Sequence, residues 1–178
     1  EIKFVDQTYY KSMFASSRAT AYKEMQEYDK SLADYDEAIR LNPEDLRNYM
    51  IRGDLHQYCL EDYKKALNDY TAALEYGAET YLEMGYIYEK LGNYEESAEN
   101  YKAAIEMEPL NYEYHYALAG IYEKQKKYYK SLNFLTIAIT LYNQEFSINK
   151  SKQINTFEEN GLKATHSIFV QREKKTNL

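Results

Sequence analysis

The residues able to do chemistry in this chain are few and scattered. The histidines are His56, His115 and His166, and Cys59 is the lone cysteine. His56-x-x-Cys59 puts two soft ligands on one helical turn, but a closed zinc site takes four and the sequence offers no second pair. The other reading of that pair needs no metal: a histidine filling a core slot beside a half-buried thiol. No glycine-rich phosphate loop, nucleophile elbow or HExxH motif occurs. Carboxylates are abundant, yet on an acidic helical surface they fall near one another by chance. The expectation is a chain with no catalytic residues, cofactor or metal.

The elements that position these side chains must therefore carry the function. The chain has 178 residues, a net charge of −7 and a pI near 5.1. That sign is wrong for a phosphate-backbone binder, so nucleic acid is not an expected partner. No run approaches the ~20 apolar residues of a membrane-spanning helix. The opening EIKFVDQ has neither a basic start nor an apolar stretch, so no signal peptide is visible. It also lacks a starting methionine, which suggests a trimmed or processed piece. A single cysteine excludes an internal disulfide framework and leans towards a reducing, cytoplasmic setting.

A period runs through most of the chain. Tyr81-x-x-Met84-Gly85-x-x-Tyr88 precedes Ser97-x-x-x-Tyr101, Ala104 and Pro109. Upstream, Tyr49-x-x-Arg52-Gly53-x-x-His56 leads to Ala66-x-x-x-Tyr70 and Ala73. Before that, Ala15-x-x-Arg18-Ala19-x-x-Tyr22 leads to Ser31-x-x-x-Tyr35, Ala38 and Pro43. Downstream, His115-x-x-Leu118-Ala119-x-x-Tyr122 leads to Ser131-x-x-x-Leu135 and Ala138. The first small slot thus recurs at 19, 53, 85 and 119, a step close to the roughly 34 residues of one family of helical repeats. Over residues 12 to 145 the chain resembles the tetratricopeptide repeat (TPR) family.

Packing physics accounts for the slots. Each unit is a pair of antiparallel helices, neither of which can bury its apolar stripe alone. Small residues at Gly85, Ser97 and Ala104 let backbones approach, while Tyr88 and Tyr101 fill the space and keep a polar tip free to reach a partner. Gly92 suits a left-handed helix end. Asn93 with Glu96 reads as a capping box for the second helix, and Pro109 stops that helix. The second unit has one extra residue between Gly53 and Tyr63, which predicts a bulge near residues 57 to 60. It also lacks the proline, so Gly77 is expected to end a shortened helix.

The predicted fold is all-α, a right-handed α-solenoid. Residues 1–11 lead in, with Asp6 as a possible cap, and four units cover about 12–45, 46–77, 78–111 and 112–145. Residues 146–178 form a capping helix or a degenerate fifth pair around Gly161, with a basic end at Arg172, Lys174 and Lys175.

The resemblance implies a concave groove lined by the first helix of each unit. In unit one this gives Met13, Ser16, Ser17, Thr20, Lys23 and Glu24. Unit two gives Arg47, Met50, Ile51, Asp54 and, with the inserted residue, Gln57 or Tyr58. Unit three gives Glu79, Leu82, Glu83, Tyr86, Glu89 and Lys90. Unit four gives Glu113, Tyr116, Ala117, Gly120, Glu123 and Lys124.

One well-known subset of the family grips the acidic tails of Hsp70 and Hsp90 through lysine, asparagine and arginine. Those slots here hold Ser16, Thr20, Ile51, Glu79 and Glu83, so carboxylates stand where a tail carboxylate would have to lie. At an effective dielectric of ~20, one like-charge contact at about 4 Å costs roughly 4 kcal/mol before screening. The chaperone tail is not an expected partner.

A basic or amphipathic segment is the expected ligand, with aromatic residues as anchors and carboxylates for steering. The competing reading of these carboxylates is a solvated surface on an acidic protein. The leading function is a non-enzymatic protein-interaction module, an adaptor or scaffold with a chaperone-like form as a narrower version. The alternatives are a segment of a larger solenoid, a self-associating structural subunit, or the regulatory domain of a larger enzyme.

Overall fold

The computed structural model describes residues 7–148, and every regular element among them is helical. The order is α1 (Gln7–Glu24), α2 (Tyr28–Leu41), α3 (Leu46–Asp54), α4 (Tyr63–Glu75), α5 (Tyr81–Lys90), α6 (Tyr94–Met107) and α7 (Tyr112–Lys124). A final helix, α8, runs from 128 to 148, where the described residues end. The expectations for Asp6, Gly161 and the basic end lie outside the described residues.

The first and third helix pairs close through the same small-residue contact. The Ser31 hydroxyl donates to the Ala19 carbonyl at 2.8 Å, and Ser97 donates to the Gly85 carbonyl at 2.8 Å. Tyr35, Tyr70 and Tyr101 are buried between these contacts. Their hydroxyls emerge towards the first helix of each pair: Tyr35 meets Thr20 at 2.9 Å, Tyr70 donates to Asp54 at 2.6 Å and Tyr101 donates to Glu89 at 3.3 Å. Successive pairs then stack. Leu118, Ile121 and Tyr122 of α7 pack on Ala98 and Tyr101 of α6, and Phe134 of α8 closes over that cluster.

The turn inside each pair is also repeated. Gly92 has φ +79, and the same left-handed slot is held by Gln26, Glu61 and Lys126, at φ 60, 52 and 59. One residue later a backbone N–H reaches back to the helix: Glu27 to the Tyr22 carbonyl, Asn93 to that of Tyr88, and Lys127 to that of Tyr122. This six-to-one bond satisfies an orphan carbonyl and reverses the chain.

That turn overrules the predicted capping box. Asn93 occupies the N-cap position but makes no side-chain cap bond, at φ −87 and ψ 73. Its N–H, which Glu96 would have to reach, is already given to Tyr88. At the start of α4, Asp62 does cap, accepting from the Lys65 N–H at 3.2 Å.

The extra residue of the second pair is absorbed as a π turn, Leu55–Cys59, which continues α3 and is closed by Leu60 N–H to the Leu55 carbonyl at 3.2 Å. It buries Leu55, His56 and Gln57 and leaves Tyr58, Cys59 and Leu60 exposed. The thiol expected to be half-buried is therefore exposed, because the wider turn rotates residue 59 off the helix packing face. Helix α4 ends early, as expected from the missing proline, with Gly77 at φ +93 and Ala78 N–H returning to Ala73.

Candidate partner-binding groove

The first helices, α1, α3, α5 and α7, carry the residues assigned to the groove, and their surroundings divide these into several stretches. At the N-terminal end a cavity of ≈ 200 Å³ lies between α1 and α3, with Met13, Ser16, Ser17, Arg47 and Ile51 in its walls. Arg47 is not free there: its guanidinium donates twice to the Asp45 carboxylate at 2.8 Å, and this holds Asp45 below the usual carboxylate range. Ile51 is half-buried and packs on Ala19, Tyr35 and Leu55, so it serves the core as much as the surface. Met50 is also half-buried.

The middle stretch gathers Asp54, Tyr58, Glu83 and Tyr86. Tyr58 is 67% exposed, and its hydroxyl is pushed up by burial first, then by Asp54, Glu83 and Tyr86. Tyr70 rises beneath them and donates a hydrogen bond to Asp54; burial first, and then that bond, push the phenol far above its ordinary value. Glu83 is half-buried, and its Oε2 is shielded from solvent without a hydrogen-bond partner. Desolvation raises its pKa, its own backbone N–H offsets part of that, and Asp54 adds to the rise. Lys90 reaches over the Tyr86 ring, its ammonium 5.0 Å from the centroid.

A carboxyl whose pKa is raised on folding favours the folded state while protonated and opposes it once ionised. Its contribution is full below the unfolded carboxyl pKa and is lost as pH rises through the folded value. Glu83→Gln is therefore expected to stabilise the chain near neutral pH, by about 1 kcal/mol as for a poorly solvated polar group. The gain should vanish in acid, where Glu83 is protonated. Thermal unfolding of both proteins across pH checks this, and a gain independent of pH would contradict it.

The C-terminal stretch is a cavity of ≈ 490 Å³ where Tyr86, Glu89, Tyr116, Gly120 and Glu123 meet Leu135 of α8. Tyr116 is 66% exposed, and Gly120 leaves the wall open. Glu89 is held from two sides, by Tyr101 and by the Lys124 ammonium at 2.6 Å.

Three of the assigned residues lie apart. Glu79 and Leu82 border a recess of ≈ 100 Å³ with Met107 and Tyr114, and Leu82 also packs on the α6–α7 cluster. Glu113 shares a shallow depression with Pro109, Leu110 and Glu145 rather than with the trough tyrosines. Tyr114 escaped the sequence reading although Glu108, Glu83, Glu113 and Glu79 all act on it, after burial, to raise its pKa. Its slot in unit four matches that of the buried Asn48 in unit two, and each borders a cavity against the first helix of the preceding pair.

Among the described residues no three His, Cys, Asp or Glu side chains come together to hold a metal ion. No described helix is long and apolar enough to cross a membrane.

Two tetratricopeptide repeat profiles match the chain, one over residues 82–145 and the other over 16–45, together more than half of its length. The chain belongs to the tetratricopeptide repeat family. The two matches flank the TPR unit that carries the π turn and the shortened α4. Similar solved structures include a crystal structure of MamA, with TM-score 0.70 and 13% identity over 76% of this chain and 81% of that one. A MamA RS-1 ArsTM double mutant has TM-score 0.69 and 17% identity, covering 79% of each chain. MamA 41-end from Desulfovibrio magneticus RS-1 has TM-score 0.67 and 17% identity over 75% of this chain and 76% of that one. At these identities the likeness is one of fold. No curated protein matches the sequence. As a TPR chain the protein is, in general terms, an interaction or scaffold module built on a helical solenoid.

Proposed function

We propose that this chain is a non-enzymatic adaptor that holds a basic or amphipathic protein segment along its concave face. The observation that carries the reading is the ≈ 490 Å³ cavity in which Tyr86 and Tyr116 stand beside Glu89 and Glu123. Aromatic side chains in an open recess supply the anchoring contact, because their rings bury large area at low entropic cost. Carboxylates around them attract a cationic segment and repel an acidic one. By the same charge argument, the acidic tails of Hsp70 and Hsp90 are not partners.

Phage-displayed random peptides panned on the chain test this directly. Peptides rich in lysine or arginine with apolar neighbours are expected, and a folded Tyr86→Ala, Tyr116→Ala variant should bind them about tenfold or more weakly, as for loss of hot-spot rings. Acidic winners, or equal affinity for both proteins, would overturn the proposal.

A second reading is favoured by the outer face of α8, where Tyr129 is 90% exposed and Leu132, Ile139 and Phe146 are each about 60% exposed. An uncovered apolar face of that kind suits a segment of a longer array or a self-associating subunit. Light scattering separates them: a monomer at every concentration would count against self-association.

A further inference from the structure

The fourth helix pair departs from the other three at the place where they are most alike. In the first three, a tyrosine of the second helix (Tyr35, Tyr70 or Tyr101) is buried against the first helix. Its hydroxyl engages that helix, at Thr20, Asp54 and Glu89. In the fourth pair the slot is held by Leu135, a shorter side chain with no hydroxyl. The position occupied by Thr20 and Asp54 in the first two pairs is Gly120 here, so the tyrosine and its partner are replaced together. The cavity of ≈ 490 Å³ has both residues in its wall. A Cβ at Gly120 would meet nothing within 4 Å.

A second contact is open in the same place. Ser31 and Ser97 donate their hydroxyls to the carbonyls of Ala19 and Gly85. Their counterpart Ser131 is 6% exposed and lines the cavity with Ala119, yet among the described residues its hydroxyl makes no hydrogen bond. A polar group so deeply placed normally has a partner.

The walls select the occupant. Glu89 is already met by Tyr101 and Lys124, so a cation buried beside it would be desolvated without a free counter-charge. Tyr86 and Tyr116 offer aromatic surface that suits a further ring, and the Ser131 hydroxyl suits a ring with a polar tip. Glu123 follows Tyr116 and Gly120 along one face of α7. It is exposed, and among the described residues no ion pair holds it, which leaves it for a basic residue next to the ring.

We propose that this cavity takes a tyrosine side chain of the bound segment, in the slot that Tyr35, Tyr70 and Tyr101 fill from within in the other pairs, with a basic neighbour of that tyrosine on Glu123. This rests on the reading of the concave face as a binding groove and names one anchor within it.

The test titrates the full chain with N-acetyl-tyrosine methylamide and follows the Gly120 backbone amide by NMR. The phenylalanine, leucine and lysine derivatives serve as comparisons. Saturable shifts are expected with tyrosine, with affinity about threefold or more above phenylalanine, as for one neutral hydrogen bond. Ser131→Ala should bring tyrosine down to the phenylalanine level. Gly120→Asp with Leu135→Tyr rebuilds the contact made by Asp54 and Tyr70, and should abolish the response while the helical circular dichroism is kept. Absence of saturation with tyrosine, equal affinity for phenylalanine, an equal or stronger response to leucine or lysine, or a response kept by the rebuilt pair would overturn the assignment.

The outcome is separable from that of the groove itself. Basic peptides without an aromatic residue that still depend on Tyr86 and Tyr116, together with no tyrosine response at Gly120, would leave the groove standing and remove this subsite. A tyrosine response with no selectable peptide would do the reverse.

Discussion

Gly85→Val is expected to lower stability by about 3 kcal/mol, near the upper end for overpacking a well-filled core. A Cβ at Gly85 would lie 2.8 Å from both Cδ1 and Cε1 of Tyr101. That ring cannot swing aside, because it is 2% exposed and packed among Ala98, Leu118 and Ile121. Nor can the helices separate cheaply, since Ser97 holds the Gly85 carbonyl at 2.8 Å. Gly120→Ala makes the contrast. It too lies within a helix, yet a Cβ there meets nothing within 4 Å. Removing a helix-interior glycine without a clash stabilises by roughly 0.5–1 kcal/mol. Urea unfolding followed by circular dichroism should therefore move in opposite directions for the two variants. An unchanged midpoint for Gly85→Val would mean that the helix pair does not need its close approach.

Asp69→Ala carries the second large effect, a loss of about 2–3 kcal/mol. Asp69 is 4% exposed and accepts from both Nε and Nη2 of Arg52, whose side chain is 19% exposed. Arg52 also pairs with Asp36, so one guanidinium on α3 ties α2 to α4 and the first helix pair to the second. Removing one partner of a buried ion pair costs about 3–5 kcal/mol, because the remaining charge is left unsolvated. Asp36 and partial solvent access reduce that figure here. Glu37→Ala, which breaks the exposed pair with Arg40, should leave stability almost unchanged, because solvent screens that pair. Hydrogen exchange should place the Asp69→Ala loss in α2 to α4, since solenoid units couple mainly to their neighbours. A loss no larger than that of Glu37→Ala would show that Arg52 is not a buried junction.

How far the structure was legible depends on the range of the force involved. The small slots at 19, 53, 85 and 119 were readable because only residues with little or no side chain allow two helix backbones so close. Counting residues between Gly53 and Tyr63 was enough to expect the distortion that appears as the π turn at 55–59. The capping box at Asn93 failed although its local pattern was correct. The backbone bond from Asn93 to Tyr88, made by a turn that recurs through the array, had already taken the N–H it required.

The proposed groove was legible only as a set of positions. The resemblance to the repeat family implied one face for Asp54, Tyr58, Glu83, Glu89 and Glu113. It carried no information on which would be engaged. Tyr70 comes from the second helix of its pair to hold Asp54, and Lys124 lies 35 residues beyond Glu89. Glu113 falls into a different recess from the tyrosines it was grouped with.

By itself the sequence determined that this protein is a helical repeat, where its helices turn, and which side chains fill the contact between paired helices. Those properties rest on period, residue size and backbone conformation, all set within one unit. Only the tertiary structure decided which carboxylates are paired and which are left waiting. That outcome depends on charges and hydroxyls brought together from different units by stacking, over distances in the chain that no local pattern encodes.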